Sequence, residues 1–138
     1  MISKVSNAYV SDDLKCRVLS SSRHELISML FDAIFLSLSR AKAFLENSQS
    51  LDAGQEIARA SEILTVGLLG SLEGVGSEPL ADDLHSLYSY CATTLVRARF
   101  AADASLISEV EELLFPIHEA WKTIGSTAAE EAASALSR

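Results

Sequence analysis

The stretch Ser22–Glu46, SRHELISMLFDAIFLSLSRAKAFLE, decides the fold. Ser22 and Glu25 have the spacing of a capping box, in which the hydroxyl accepts from the Glu25 amide and the carboxylate reaches back. From there Ile27, Leu30, Phe31, Ile34, Leu38, Ala41 and Leu45 recur at three- and four-residue steps. That is the apolar stripe of a packed helix, not the alternation of a strand. The polar run Asn47-Ser48-Gln49-Ser50 ends it.

Three more helices follow by the same reasoning. A second begins near Asp52, with Ile57, Ala60, Leu64, Leu68 and Ser71 inward, and Gly70, Gly74 and Gly76 are expected to end it. Pro79 suits the first turn of a third helix, where its missing N–H costs nothing. Leu80, Leu84, Leu87, Cys91, Leu95 and Ala98 are its expected core positions. Asp103 is placed to cap a fourth, with Leu106, Val110, Leu113, Ile117, Trp121 and Ile124 inward, a kink at Pro116 and Gly125 as the C′ residue. No period-2 segment or hairpin turn interrupts the pattern. The expected fold is all-α: an antiparallel up-down-up-down four-helix bundle over residues 22–125. An N-terminal arm or short cap helix occupies 1–21, and 126–138 form a tail that extends the last helix or frays.

Composition removes several function classes. The chain has 138 residues, 49% of them hydrophobic, and a formal net charge of −8. Its eleven Lys and Arg are scattered, so no face gathers the cations that a phosphate backbone requires, and no nucleic-acid partner is expected. No apolar run approaches the ~20 residues of a membrane span. Polar sequence, not an apolar segment, follows Met1-Ile2-Ser3-Lys4, so the expected location is the cytoplasm. Cys16 and Cys91 belong to no metal-binding or redox spacing and are expected to stay reduced. His24, His85 and His118 lie in different segments without a second histidine at ligand spacing. The glycines make no phosphate loop. No catalytic residue, metal ligand or cofactor is expected.

The first two helices carry more apolar surface than a bundle interior uses. Leu26, Met29, Ala33, Leu36 and Phe44 lie about 100° or more round from the core stripe of the first helix. Ile63, Val66 and Leu69 lie away from Leu64 and Leu68 on the second. Either these residues pack on the arm, the tail or a second copy, or they line a groove for a partner helix. Tyr9 in the arm has the shape to plug such a groove with its hydroxyl in water. Periodicity leaves both alternatives open.

Ordered motifs over residues 8–124 resemble the FliS family of flagellin export chaperones. Ala8-Tyr9 is similar to that family's N-terminal Ala-Tyr, and His24–Asp32 resembles its ELI-x-MLYDG signature. Arg40-Ala41-Lys42, Leu87-Tyr88-Ser89-Tyr90 and Glu119-Ala120-Trp121-Lys122 follow in the family's order. Ala33 replaces the family's glycine after the aspartate, and Ser77-Glu78 replace its paired glycines. The resemblance implies a non-enzymatic cytoplasmic chaperone that binds the disordered C-terminal region of flagellin, blocks premature polymerisation and delivers it to the type III export apparatus. An export-gate component and a co-chaperone or regulator are further implied partners. Tyr9, Met29, Asp32, Ala33, Leu36, Ile63, Val66, Leu69 and Tyr90 are the expected contact residues, with Asp32 and Tyr90 as polar anchors. The competing readings are a helical regulator of another soluble protein, of co-chaperone or anti-sigma type, and a structural homo-oligomer.

Overall fold

The α1–α2 and α3–α4 turns are set by backbone caps at residues other than glycine. The computed structural model describes residues 23–73 and 79–136, with side chains as far as Ile124. These described residues form four helices and no strand: α1 (Arg23–Glu46), α2 (Ser50–Glu62), α3 (Pro79–Ala101) and α4 (Ala104–Leu136). α2 continues directly into a π-helical segment, Ile63–Leu69. Ser22, Tyr9, Cys16 and the rest of the expected arm lie outside the described residues.

α1 ends in a Schellman motif. Ser48 stands at φ 60, its N–H donates to the Leu45 carbonyl at 3.1 Å, and the Gln49 N–H donates to the Phe44 carbonyl at 2.8 Å. α3 ends similarly, with Ala102 at φ 51 and the Asp103 N–H donating to the Ala98 carbonyl at 3.2 Å. Asp103 then caps α4 as the sequence predicts, its Oδ1 accepting from the Ser105 N–H at 2.9 Å and from the Ser105 hydroxyl. Those Ser105 bonds hold the Asp103 carboxyl below the usual carboxylate range. An alanine in the left-handed region is strained by about 1–2 kcal/mol. Glycine removes that strain but adds disorder to the unfolded chain. Ala102→Gly is therefore expected to gain about 0.5–1 kcal/mol in urea unfolding.

One core runs the length of the described helices. Ile27, Phe31, Ile34, Leu38 and Ala41 of α1 meet Ile57, Ala60, Leu64 and Leu68, then Tyr88, Cys91, Leu95 and Ala98 of α3, then Ile107, Val110 and Leu114 of α4. α1 packs on α2, α2 on α3, α3 on α4 and α4 back on α1, so the four helices close a ring around that core. The π segment lies close against α1 at Gly67, where an added Cβ would stand 2.9 Å from Leu30 Cδ1. Thr65 opens this wider turn by donating its hydroxyl back to the Ser61 carbonyl at 2.9 Å. Such back-bonding bends the local backbone.

Four expectations need correction. The second helix does not stop at Gly70, which has helical φ −59; a turn begins at Leu72–Glu73, beyond a π segment that periodicity did not reveal, and Gly74 and Gly76 lie outside the described residues. Leu80, expected inward, is exposed, and Ala81 is buried beside it. On α4 the buried row is Ile107, Val110, Leu114 and His118, while Leu106, Leu113, Ile117 and Trp121 pack at its edge and Ile124 is exposed. A helix that touches both α1 and α3 buries an arc wide enough for two adjacent rows, and spacing alone does not say which is central. Finally, α4 passes through Gly125 to Leu136, so Gly125 is no terminus. Pro116 also sits inside that helix.

Candidate functional site

Among the described residues, hollows between neighbouring helices include the three that follow. Between α2 and α3 lies a furrow of about 310 Å³. Ile57 and Leu95 form its buried floor, with Ala58, Thr65 and Val96 on the walls and Phe100 at one end. Phe100 is 86% exposed, a large desolvation cost left unrecovered. Gly54 admits the Arg99 side chain across α2, since a Cβ there would lie 3.4 Å from Arg99 Nε. Arg99 and Glu62 thus add one charge of each sign to a furrow otherwise lined by apolar residues and the hydroxyls of Ser61 and Thr65.

A second hollow, about 330 Å³, draws on all four helices at the end where α1 begins. Ile27, Phe31, Leu72, Leu84, Tyr88, Ile117 and Trp121 line it, and Arg23 bridges its rim by donating to the Ser71 carbonyl at 2.8 Å. Its frame is held by a reciprocal clasp. His24 Nε2 donates to the Trp121 carbonyl at 2.6 Å, Trp121 Nε1 donates to the His24 carbonyl at 3.0 Å, and the rings stack with centroids 4.6 Å apart. Burial pushes the Tyr88 hydroxyl up to about 12 and the Cys91 thiol up to about 11. Both stay protonated at neutral pH, and a thiol held in that form is a poor nucleophile.

The third hollow lies between α1 and α4, over Phe35, Glu111, Glu112, Phe115 and Pro116. Near it, His118 is buried and stacked on Phe31 and Phe35, with ring centroids 5.0 and 5.6 Å away. Its Nε2 lies 3.4 Å from Asp32 Oδ1. Burial and then Lys122 lower its pKa, outweighing Asp32 and Glu119. The unfolded imidazole, near pH 6.5, therefore takes its proton before the folded one. Stability is expected to fall as pH drops through about 6.5 toward the lower folded value, then to level. Urea midpoints between about pH 8 and 5 should show this loss, and His118→Gln should flatten it.

The sequence-predicted contact residues separate into two groups. Met29 and Ala33 are half-buried and Leu36 is 53% exposed, all on the side of α1 away from its core row. Ile63, Val66 and Leu69 occupy the π segment, where Ile63 and Leu69 pack partly on the core and Val66 is 73% exposed. Asp32 and Tyr90 are drawn to α4 instead, Asp32 toward His118 and the Tyr90 hydroxyl to Glu109 Oε1 at 2.5 Å. Tyr9 lies outside the described residues. Val96, Phe100 and Phe115 were missed by the sequence reading. A wheel for α3 would have flagged Phe100, two residues past the buried Ala98 and off its stripe.

Among the described residues, no three His, Cys, Asp or Glu side chains gather as a metal site, and no helix is long and apolar enough to cross a membrane. The family model for flagellar protein FliS matches residues 5–128. The chain belongs to the FliS family. Similar proteins include the flagellar secretion chaperone FliS of Salmonella typhimurium, 38% identical over 121 residues that cover 88% of this chain and 90% of the relative. The flagellar secretion chaperone FliS of Escherichia coli is 34% identical over 119 residues, 86% of this chain and 88% of its own. The flagellar secretion chaperone FliSB of Pseudomonas aeruginosa is 30% identical over 125 residues, covering 88% and 95% respectively. The FliS match thus spans α1 to α3, α4 as far as residue 128, and every hollow described above.

Proposed function

We propose that this FliS-family chain is a cytoplasmic export chaperone that captures the disordered C-terminal region of flagellin as helix, blocks its premature polymerisation and aids its delivery to the flagellar type III export apparatus. The observation that supports the reading is a set of apolar side chains left in solvent, taken here as one belt. Leu36 on α1, Val66 in the π segment and Val96 and Phe100 at the α2–α3 furrow are exposed, with the half-buried Met29, Ala33, Ile63 and Leu69 beside them in sequence. We infer with it that the helices alternate in direction as an antiparallel up-down-up-down bundle, the arrangement that short turns such as 47–49 and 102–103 favour. A flexible segment folding onto such a belt buries apolar side chains at successive helical turns, and the ordering it undergoes consumes part of the interaction energy. Tyr9, preceding α1, covers the apolar end of the belt in the free protein and is displaced on binding. Asp32 and Tyr90, both exposed although each also meets a side chain of α4, serve as polar anchors at its edge. An export-gate component and a co-chaperone or regulator are further partners of the complex.

Titration calorimetry with the C-terminal region of the host's flagellin tests the reading. One-to-one binding with a large negative heat-capacity change is expected. No heat at micromolar concentrations would overturn it. Size-exclusion with light scattering addresses the homo-oligomer alternative: a tight, permanent oligomer that closes the belt would count against a chaperone.

A further inference from the structure

The α1–α4 hollow differs in chemistry from the flagellin belt. It encloses about 420 Å³ over Phe35 of α1 and Phe115 and Pro116 of α4, with Phe115 57% exposed. Its remaining lining is Glu111 and Glu112, so among the described residues that line it none carries a side-chain donor. Glu111 is engaged by Lys42 of α1, whereas Glu112 is exposed and makes no ion pair among the described residues. Pro116 adds a further acceptor. It has no N–H to give the carbonyl four residues back, and that carbonyl belongs to Glu112. Two acceptors on one residue, a carboxylate and a backbone oxygen without its helical donor, therefore stand beside the exposed Phe115 ring and the half-buried Phe35 ring.

We propose that this hollow is a second binding site, one that takes an arginine side chain of a partner segment. The guanidinium is planar, always charged and rich in donors, so it can lie over an aromatic face while its N–H groups serve Glu112. A lysine ammonium would neutralise the carboxylate but would not stack in the same way. An apolar neighbour of the arginine would cover Phe115. In the ring of helices the α1–α4 seam lies opposite the α2–α3 seam, so this site and the furrow can be filled together. The proposal does not depend on flagellin being the occupant of the belt.

The test uses the full chain and the blocked tripeptide Ac-Leu-Arg-Leu-NH2, titrated by amide and aromatic NMR. Saturable shifts are expected at Phe35 and over residues 111–116. Replacing arginine by citrulline, which keeps the shape and removes the charge, should weaken binding at least tenfold. Glu112→Gln and Phe115→Ala, both exposed changes that leave the core alone, should each do the same. Equal affinity for the citrulline peptide, indifference to Glu112→Gln, or shifts confined to other faces would overturn the site. Flagellin binding measured in Glu112→Gln separates the two claims: it should be unchanged, and its loss would mean that the hollow is part of the belt and not a second site.

Discussion

Phe31→Ala is expected to lower stability by about 3–5 kcal/mol, the range for deleting a buried aromatic. Phe31 is 1% exposed, belongs to the common core and forms one wall of the end hollow. Its ring also stacks on His118, so truncation would leave that buried imidazole with Phe35 alone. Because the new void would merge with an existing hollow, collapse around it is limited, which favours the upper half of the range. A domain with a total of about 5–15 kcal/mol would lose about a fifth or more of its margin. Urea unfolding followed by far-ultraviolet circular dichroism measures the loss, with Phe115→Ala as the comparison. Phe115 is exposed, and removing it should change stability by no more than about 0.5 kcal/mol. Similar costs for the two variants would mean that the core is not organised around α1.

Most of the α1 core was legible, because Ile27, Phe31, Ile34, Leu38 and Ala41 repeat at helical spacing between polar boundaries, and each is buried. The Asp103 cap was legible for a similar reason: its chemistry is local and needs no knowledge of a neighbour. What escaped depended on tertiary context. The π segment is a change of hydrogen-bond register that leaves composition untouched, and Gly67 looks like a helix breaker until Leu30 is known to lie against it. His118 reads as a stray polar residue between Ile117 and Glu119, yet two phenylalanines from α1 make its ring part of the interior. On α4 the apolar residues form two adjacent rows, and only the positions of α1 and α3 select the central one.

The candidate site divides in the same way. Surplus apolar residues on α1 and α2 could be counted on a helical wheel, and Leu36 and Val66 are indeed exposed. Asp32 and Tyr90 were read as anchors because a carboxylate or phenol at a groove edge can orient a partner; their contacts with His118 and Glu109 depend on tertiary context that spacing does not report. The α2–α3 furrow is built jointly by two helices, with Ile57 and Leu95 at its floor, so no single-helix wheel shows it. Its most exposed member, Phe100, follows Arg97 and Arg99, where an aromatic passes easily for the end of a solvated face.

The double variant Val66→Glu/Phe100→Glu is expected to weaken flagellin binding by about three orders of magnitude while leaving helical content and urea midpoint close to those of the parent. Both side chains are more than two-thirds exposed, at 73% and 86%, so replacing them removes no core packing. In the complex each would face desolvation of a carboxylate against an apolar partner surface. A central contact of that kind is worth about 2 kcal/mol, and two independent ones about 4 kcal/mol, which corresponds to roughly 1000-fold in Kd. Additivity carries information of its own. Val66 lies in the π segment and Phe100 at the far end of α3, so contacts made by one continuous bound segment at both places should add. If Val66→Glu abolishes binding and Phe100→Glu does nothing, the bound segment stops on α2 and the furrow serves another purpose. If neither matters while the fold is intact, the belt is not the flagellin surface. Loss of helical content in Val66→Glu would instead place Val66 in the core, which its exposure argues against.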